Sequence, residues 1–249
     1  MKYLLVVALL SWTVPALAQQ APQPPPSSDF LFGAPRGSFG LRGGWLFANA
    51  GSDLFGFISE RLTIDKGDFN APVVSTDIGV SLTPRIDIVG GVDVSRTSAA
   101  SEYRHFAENG RPIRQTTFLR EENVSASVRA ALVPRGQAVS RLAWVPRRVT
   151  PFVGAGAGMM HYGLRQAGDF VDEDAASGLA IFTDSLESSG WAPSAHLFGG
   201  VDLRMYRGLM LNVEARYLWS EGPVREDFVG FDPIDLAGFR LSTGINVLF

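Results

Sequence analysis

The sequence predicts an all-β fold, an eight-stranded antiparallel transmembrane up-and-down β-barrel, and three observations lead to it. Residues 239–249 alternate apolar and polar side chains up to the terminal Phe249. The same period-two alternation, which indicates a strand with a different environment on each face, recurs in eight segments of the chain. The connections between these segments alternate between short and long, as in barrels that cross an outer membrane.

The amino-terminal residues have the pattern of a secretory signal peptide. Lys2 precedes a largely apolar stretch, residues 3–14, and Ala16-Leu17-Ala18 is a small-x-small cleavage site. The apolar stretch is shorter than the ~20 residues that a transmembrane helix needs. We therefore expect residues 1–18 to be removed. Five prolines in residues 19–37 predict an extended, unpacked periplasmic lead-in, and residues 38–249 form the barrel domain.

Composition excludes several classes of protein. The chain has no cysteine, which rules out disulfides, thiolate zinc sites, cysteine nucleophiles and a lipid anchor on cysteine. Lysine and arginine total 22 against 25 acidic residues, a net charge of −3, which does not favour nucleic acid as a partner. After the signal peptide, no apolar run reaches ~18 residues, so a closed barrel is the remaining way to span a membrane.

The eight segments lie at about 38–48, 73–83, 86–95, 122–133, 151–164, 191–204, 209–220 and 236–249. Alternate residues of each segment lie on the same face of the predicted strand. One of the two faces contains no charged residue in any segment. Its aromatic members lie near the strand ends, as the interface girdles of a membrane barrel do. They are Phe39, Trp45, Phe47, Phe152, Tyr162, Trp191, Trp219 and Phe249.

The opposite parity set is polar and is predicted to face the lumen. It contains Arg42, Asp77, Asp87, Asp93, Arg129, Asp202, Arg204, Glu214, Arg216 and Arg240, together with His161 and His196. The lumen of an eight-stranded barrel is just wide enough for side chains to fill it, and an unpaired buried charge is costly. These residues therefore predict a structural ion-pair network rather than a gated ion path. We expect Glu214 and Arg216 to pair with Arg204, Asp202 or Arg240.

The connections fall into two groups. Residues 83–86 and 205–208 are tight turns, whereas the connections at 49–72, 96–121, 165–190 and 221–235 are long. Residues 133–150 are longer than a turn on the short side should be, and they contain Arg135, Arg141, Arg147 and Arg148. They fit either a turn of helix or a lengthened hairpin. A solvated loop is favoured there over a contact with an anionic periplasmic partner.

Three stretches resemble the fifth to seventh strands of the OmpA-like transmembrane domain family. They are Thr150-Pro-Phe-Val-Gly-Ala-Gly-Ala-Gly158, Gly199-Gly-Val-Asp-Leu-Arg204 and Leu211-Asn-Val-Glu-Ala-Arg-Tyr217. The resemblance covers residues 38–249 and implies a small, porin-like outer-membrane barrel. It also implies that Phe249 is the signal by which the barrel assembly machinery recognises the chain. The peptidoglycan-binding domain of larger relatives is not expected, because the chain ends at the last strand.

A structural or surface-interaction role in the outer membrane of a Gram-negative envelope is therefore the favoured function. The expected partners are membrane lipid, lipopolysaccharide, or a protein or surface ligand at the four long loops. The alternative is a narrow channel for ions or small solutes. A soluble lipocalin-like barrel is disfavoured by the charge-free aromatic face.

An enzyme is less favoured than either role. Similar small barrels that modify lipid A use a histidine with a serine, but no nucleophile, base and orienting group can be assembled around the three histidines, including His105. A calcium site in the acidic loop 165–190 is disfavoured because residues 169–174 lack EF-hand spacing. We expect no catalytic residue, metal or cofactor.

Overall fold

Eight long strands dominate the computed structural model, which describes residues 30–108, 110–172 and 180–249. They are β1 (Gly37–Ala48), β2 (Ala71–Ser81), β3 (Ile86–Glu108), β4 (Arg111–Ala131), β5 (Val149–Asp172), β6 (Ala180–Tyr206), β7 (Leu209–Gly222) and β8 (Gly238–Leu248). The predicted signal peptide and residues 19–29 of the predicted lead-in lie outside the described residues.

The strands form one closed sheet. Each pairs antiparallel with its neighbours in sequence, and β8 pairs with β1, for example Val247 opposite Phe39. Just beyond that pairing, the Gly37 N–H donates to the Phe249 carbonyl over 2.8 Å, and the Phe249 N–H donates back to Gly37 over 3.0 Å. Closure leaves no free sheet edge in the barrel wall. The predicted eight-stranded antiparallel up-and-down barrel is confirmed.

The strands differ in length around the barrel. β1, β2, β7 and β8 have 11 to 14 residues, whereas β3 to β6 have 21 to 27. The excess extends two hairpins, β3–β4 and β5–β6, beyond the other strands. The prediction of long loops at 96–121 and 165–190 is therefore wrong, because the ladder continues there, for example Ser101 opposite Gln115. Past the barrel wall the apolar face is lost, so period-two patterning gives no signal.

The β1–β2 connection contains the one α-helix of the described residues, α1 (Asp53–Arg61), and a 3₁₀ helix, Lys66–Phe69. Leu54, Phe55 and Ile58 lie on one face of α1 and are buried, which is the spacing of an amphipathic helix. The β7–β8 connection contains a 3₁₀ helix, Glu226–Phe228, and a two-residue strand, Ile234–Asp235, that pairs with β7. No helix in the described ranges is long and apolar enough to cross a membrane.

The two faces of the wall have inverted polarity relative to a soluble protein. Large apolar side chains point outward, such as Val74, Ile78 and Leu197 with 55–59% of their surface exposed. Charged side chains point inward and are buried, including Arg42 and Asp202 at 6% and 4%. An apolar outside and a polar inside is the arrangement that lipid favours, so the fold is of the transmembrane class.

The predicted faces of β5 are wrong. Phe152, Met160 and Tyr162 are buried inside the barrel, whereas the alternate residues Val153 and Met159 point outward. Apart from His161, the two alternating sets of side chains in the predicted strand 151–164 are apolar or small, so charged residues could not distinguish the two faces. The inward set includes Gly154, where a Cβ would overlap the Phe198 ring of β6, and this close approach explains why glycines face the lumen here.

A small second sheet packs against the short-turn end of the barrel. The segment between β4 and β5 forms a hairpin of two short strands, Gly136–Ala138 and Ala143–Pro146, and Leu31–Phe32 pairs with it. Of the two possibilities for residues 133–150, the structure therefore contains the hairpin. Trp144 and Leu31 pack against Met210 and Leu248 at the short-turn end of the barrel. The end of the predicted lead-in is thus packed rather than free.

Candidate functional site in the barrel interior

A continuous chain of seven charged side chains crosses the barrel interior, and we call it the central chain. Six strands contribute to it, and acidic and basic residues alternate along it. Its order is Asp77, Arg42, Glu214, Arg216, Asp93, Arg240, Glu121. All seven residues are at most 9% exposed.

All six links of the central chain are ion pairs. Arg42 is 2.8 Å from Asp77 and 3.9 Å from Glu214. Arg216 is 2.8 Å from Glu214 and 3.2 Å from Asp93. Arg240 completes the chain at 3.5 Å from Asp93 and 3.3 Å from Glu121. Each guanidinium lies between two carboxylates, which is how buried charges remain compensated.

Neutral polar side chains fix the carboxylates of the central chain. Ser95 donates to Glu121 over 3.2 Å, and the Asn123 amide donates to Asp93 over 3.3 Å. Ser194 donates in turn to Asn123 over 2.7 Å. These hydrogen bonds extend the network to β6 and hold its members in defined positions.

Two separate ion pairs lie nearer the short-turn end. Arg129 pairs with Asp202, which also accepts a 2.7 Å hydrogen bond from Asn212. Arg135, from the β4–β5 connection, reaches 2.7 Å from Asp87. Burial lowers the pKa of the Arg135 guanidinium, and the adjacent Asp87 carboxylate opposes that shift. The Arg129 guanidinium also lies 3.6 Å from the centre of the Phe152 ring, a cation–π contact.

The predicted lumen residues Arg42, Asp77, Asp93, Arg129, Asp202, Arg204, Glu214, Arg216 and Arg240 all belong to the inward parity of their strands. Their partners differ from the prediction: Glu214 pairs with Arg216 of its own strand and with Arg42, not with Arg204 or Arg240. Arg204 instead donates to the Pro146 carbonyl at the short-turn end.

Sequence reasoning missed two charged members of these networks. Glu121 lies one residue before the predicted start of its strand, although it has the same parity as the lumen residues Asn123 and Arg129. Arg135 lies in the connection that was predicted to be a solvated loop. Parity could have found Glu121, but no periodic signal marks Arg135.

The three histidines have different environments. His196 is buried, and its Nε2 lies 2.8 Å from the Ser127 hydroxyl, while its Nδ1 has no hydrogen-bond partner among the described residues. His161 does not face the lumen as predicted, but lies outside against Trp191, with ring centres 5.1 Å apart. His105 is exposed on the extended part of β3. The Ser127–His196 contact therefore lacks an orienting carboxylate and an opening to substrate, which a triad needs.

The loop end of the interior is filled by an apolar cluster, which we call the loop-end core. In it, α1 and the β7–β8 connection pack against residues of β4 to β7 that lie toward the loop end. Its members with at most 2% exposure are Ala50, Leu54, Phe55, Ile58, Leu62, Ile64, Phe69, Met160, Tyr162, Leu164, Ala192, Leu218, Ile234 and Leu236. The Phe55 and Phe69 rings pack edge to face with centres 4.6 Å apart.

The β1–β2 and β7–β8 connections together cover the loop-end core, and we call them the cover. Polar contacts join these two connections to each other. The Asp53 carboxylate accepts hydrogen bonds of 3.1 and 3.2 Å from the Asp232 N–H. Asp235 accepts a 2.6 Å hydrogen bond from the Asn49 amide and a 2.9 Å one from the Gly51 N–H. The cover is therefore a fixed part of the fold.

An aromatic cleft of about 260 Å³ opens at the surface of the loop end, between α1, the extended hairpins and the β7–β8 connection. Its lining includes Phe57, Tyr103, Phe170, Phe182 and Phe231. Phe57 and Phe182 are 41% and 46% exposed. Within the described ranges, no group of three or more His, Asp or Glu side chains is placed to hold a metal ion.

A closed barrel with an apolar outside and an ion-paired inside defines the class of this protein as a small transmembrane β-barrel. No protein-family model matches the sequence, and no curated protein is significantly similar to it. Solved structures with a similar fold are small barrels. Neisserial surface protein A is 14% identical, with 86% of this chain and 96% of that chain covered and a TM-score of 0.46.

Two further solved structures are similar in the same way. The outer-membrane protein OprG from Pseudomonas aeruginosa is 8% identical, with 88% of this chain and 99% of that chain covered and a TM-score of 0.45. The attachment invasion locus protein Ail of Yersinia pestis is 11% identical, with 85% and 99% covered and a TM-score of 0.43. Identities this low and TM-scores below 0.5 assign no function, so the class rests on the closure and the inverted faces of the barrel.

Proposed function

We propose that this protein is an integral outer-membrane barrel that does not conduct and that acts through the surface at its loop end. The filled interior carries this proposal. The cluster around Trp144 lies at the short-turn end, and the central chain crosses the middle of the lumen. The loop-end core fills the lumen at the loop end. A lumen filled over its height suits a scaffold better than a pore.

The outer surface supports a membrane location. The strands with no extension have 11 to 14 residues, which is long enough for a tilted strand to cross a bilayer, since about 9–11 residues are needed. Trp45, Trp191 and Trp219 point outward near the loop end, where an aromatic girdle is expected. The predicted signal peptide supplies the export that this location requires.

The unequal ends of the barrel support one orientation in the membrane. Outer-membrane barrels have short periplasmic turns and longer external loops. Both ends of the described chain, before β1 and after β8, lie at the short-turn end and would then be periplasmic. Phe249 is 67% exposed after β8, which is compatible with the expected recognition of this residue by the assembly machinery.

The loop end is then the surface available to partners. It combines two extended hairpins, a cover fixed by buried side chains and the aromatic cleft. Binding residues are commonly carried on loops that a rigid scaffold positions, and exposed aromatic side chains are common at interfaces. A lipopolysaccharide, a protein or another surface ligand fits this role.

A narrow channel is the second candidate, because the middle of the lumen is lined with charged groups. Conduction through it requires the ion pairs of the central chain and the loop-end core to open together. A lipid-modifying enzyme has less support, since the serine–histidine contact of the described residues, Ser127 with His196, is buried and its histidine Nδ1 has no carboxylate partner.

Cysteine labelling on intact cells tests the orientation, because the chain has no native cysteine. His105→Cys lies on the exposed loop end and Ser140→Cys in the hairpin at the short-turn end. A membrane-impermeant maleimide should label His105→Cys in intact cells and Ser140→Cys only after the outer membrane is permeabilised. The reverse pattern, or no labelling of either in a membrane fraction that contains folded protein, contradicts the proposal.

A further inference from the structure

Exposed arginines gather at the short-turn end of the barrel, and we call them the arginine rim. They are Arg36, Arg85, Arg141, Arg147, Arg148 and Arg207. The acidic side chains of the described residues at this end are Asp87 and Asp202, both buried and paired with Arg135 and Arg129. Among the described residues, the exposed charge of this end is therefore positive apart from the α-carboxylate of Phe249.

The loop end differs in its charge. There, exposed arginines are interspersed with carboxylates and form ion pairs with them, such as Arg114 with Glu102 at 3.0 Å and Arg120 with Glu122. At the arginine rim, no ion pair of this kind involves Arg36, Arg85, Arg141, Arg147 or Arg148 within the described ranges. Within the part of the chain that the structure describes, the rim is thus a predominantly positive surface, on a chain whose net charge is −3.

The arginine rim also borders the apolar belt of the barrel. Arg85 lies between Leu82 and Ile86, which are 62% and 38% exposed, and Arg148 precedes Val149, which is 50% exposed. The Arg207 guanidinium lies 5.2 Å from the centre of the outward Tyr206 ring. These cations therefore border the apolar belt, where we expect hydrocarbon to meet headgroup.

The rim is distributed around the barrel rather than on one side. Arg36 precedes β1, Arg85 is in the β2–β3 turn, Arg148 precedes β5 and Arg207 is in the β6–β7 turn. A lipid annulus contacts the whole circumference, whereas a polymer or a protein partner contacts one sector. Guanidinium groups also bind phosphate through two parallel hydrogen bonds, which suits a phospholipid headgroup.

We propose that the arginine rim binds the phosphate headgroups of anionic phospholipid, of which phosphatidylglycerol is the probe, in the leaflet that borders the short-turn end. This inference rests on the proposed membrane location. It adds a lipid preference, because a zwitterionic leaflet offers the rim less compensating charge than an anionic one. Lipid bound there would hold the barrel at a fixed depth.

The test uses the mature chain refolded in nanodiscs of mixed phosphatidylglycerol and phosphatidylcholine. Mass spectrometry then measures the ratio of the two lipids that stay bound after the disc is removed. The variant R85Q/R147Q/R148Q removes three exposed charges from the rim. The matched control R96Q/R111Q/R165Q removes three exposed charges from the loop-end half. Circular dichroism and the gel mobility shift on boiling show that each protein is folded and inserted.

The wild type should retain phosphatidylglycerol in excess, and the rim variant should lower this excess by at least about tenfold. The control should keep it. Equal retention of both lipids by wild type, or the same ratio in wild type and rim variant, overturns the inference while leaving insertion intact. Failure of all proteins to insert would instead contradict the proposed function. Loss of binding to isolated peptidoglycan in the rim variant, with an unchanged lipid ratio, would assign the rim to that polymer.

Discussion

The middle of the barrel interior is filled by ion-paired side chains, whereas the part near the long connections is filled by apolar ones. The central chain takes its members from six strands, and each guanidinium has two carboxylate neighbours. The loop-end core takes many of its members from α1 and the β7–β8 connection. The two regions close the same lumen with different chemistry and different parts of the chain.

This difference indicates that the barrel wall and the cover contribute to stability in different ways. The central chain exists only when distant strands are in register, since Asp93 of β3 contacts arginines of β7 and β8. The loop-end core is held largely by connections, which can open without separating the strands. A change in the central chain should therefore affect global unfolding, and a change in the core should first affect local opening.

The largest effect is expected from Asp93→Ala. It leaves the Arg216 and Arg240 guanidinium groups without a shared buried carboxylate, which should lower the free energy of unfolding by about 4 kcal/mol. Denaturant titration of the protein refolded in vesicles measures this change. The control is Glu60→Ala, an exposed carboxylate on α1. A loss below about 1 kcal/mol in Asp93→Ala, similar to that of an ordinary surface variant, would show that the ion pairs do not hold the wall.

The next effect is expected from Phe55→Ala in the loop-end core. Removing a ring that is 1% exposed should lower the free energy of local opening by about 3 kcal/mol. Hydrogen exchange of the amides in α1 measures it, and those amides should exchange about 100-fold faster while those in the middle of β7 do not. Phe57→Ala is the matched control, because Phe57 is on the same helix and 41% exposed. Equal acceleration in both variants would mean that the core does not fix the cover.

A smaller effect is expected from Ser127→Ala. This change removes the 2.8 Å contact with His196 Nε2 in the middle of the lumen and should lower the free energy of unfolding by about 1–2 kcal/mol. Ser98→Ala, on an exposed position of β3, is the control for the same chemical change. If the two variants unfold at the same denaturant concentration, the contact contributes nothing measurable.

The smallest effect is expected from Arg114→Gln. Its ion pair with Glu102 is 3.0 Å long, but both side chains are exposed, 74% and 42%. The change in the free energy of unfolding should be below about 0.5 kcal/mol and should disappear in high salt. A loss as large as that of Asp93→Ala would contradict the distinction between buried and exposed ion pairs.

The sequence predicts the wall of this barrel well where one face is charged and the other is apolar. Seven of the eight strands have the predicted faces, because residues such as Arg42 or Asp202 mark the lumen side. The prediction fails for β5 because, apart from His161, both of its faces within residues 151–164 are apolar or small. Phe152 and Tyr162 therefore suggested an outward position, whereas both are buried.

The extended hairpins and the cover could not be derived from period-two patterning. Beyond the wall, the strands of the extended hairpins carry polar residues on both faces. The spacing of Leu54, Phe55, Ile58 and Leu62 does indicate a helical face, and a test of helical periodicity in that connection would have found α1. The ion-pair partners depend on the register of distant strands, which no local pattern contains.

Single-channel recording in a planar bilayer tests the central claim, a filled and closed lumen, most directly. The folded wild type is compared with Glu214→Ala and Arg216→Ala at moderate salt, and insertion is checked by the gel mobility shift on boiling. The wild type should show no steady openings. Steady wild-type openings with an ion selectivity that changes in the two variants would contradict the claim and make the central chain the lining of a channel.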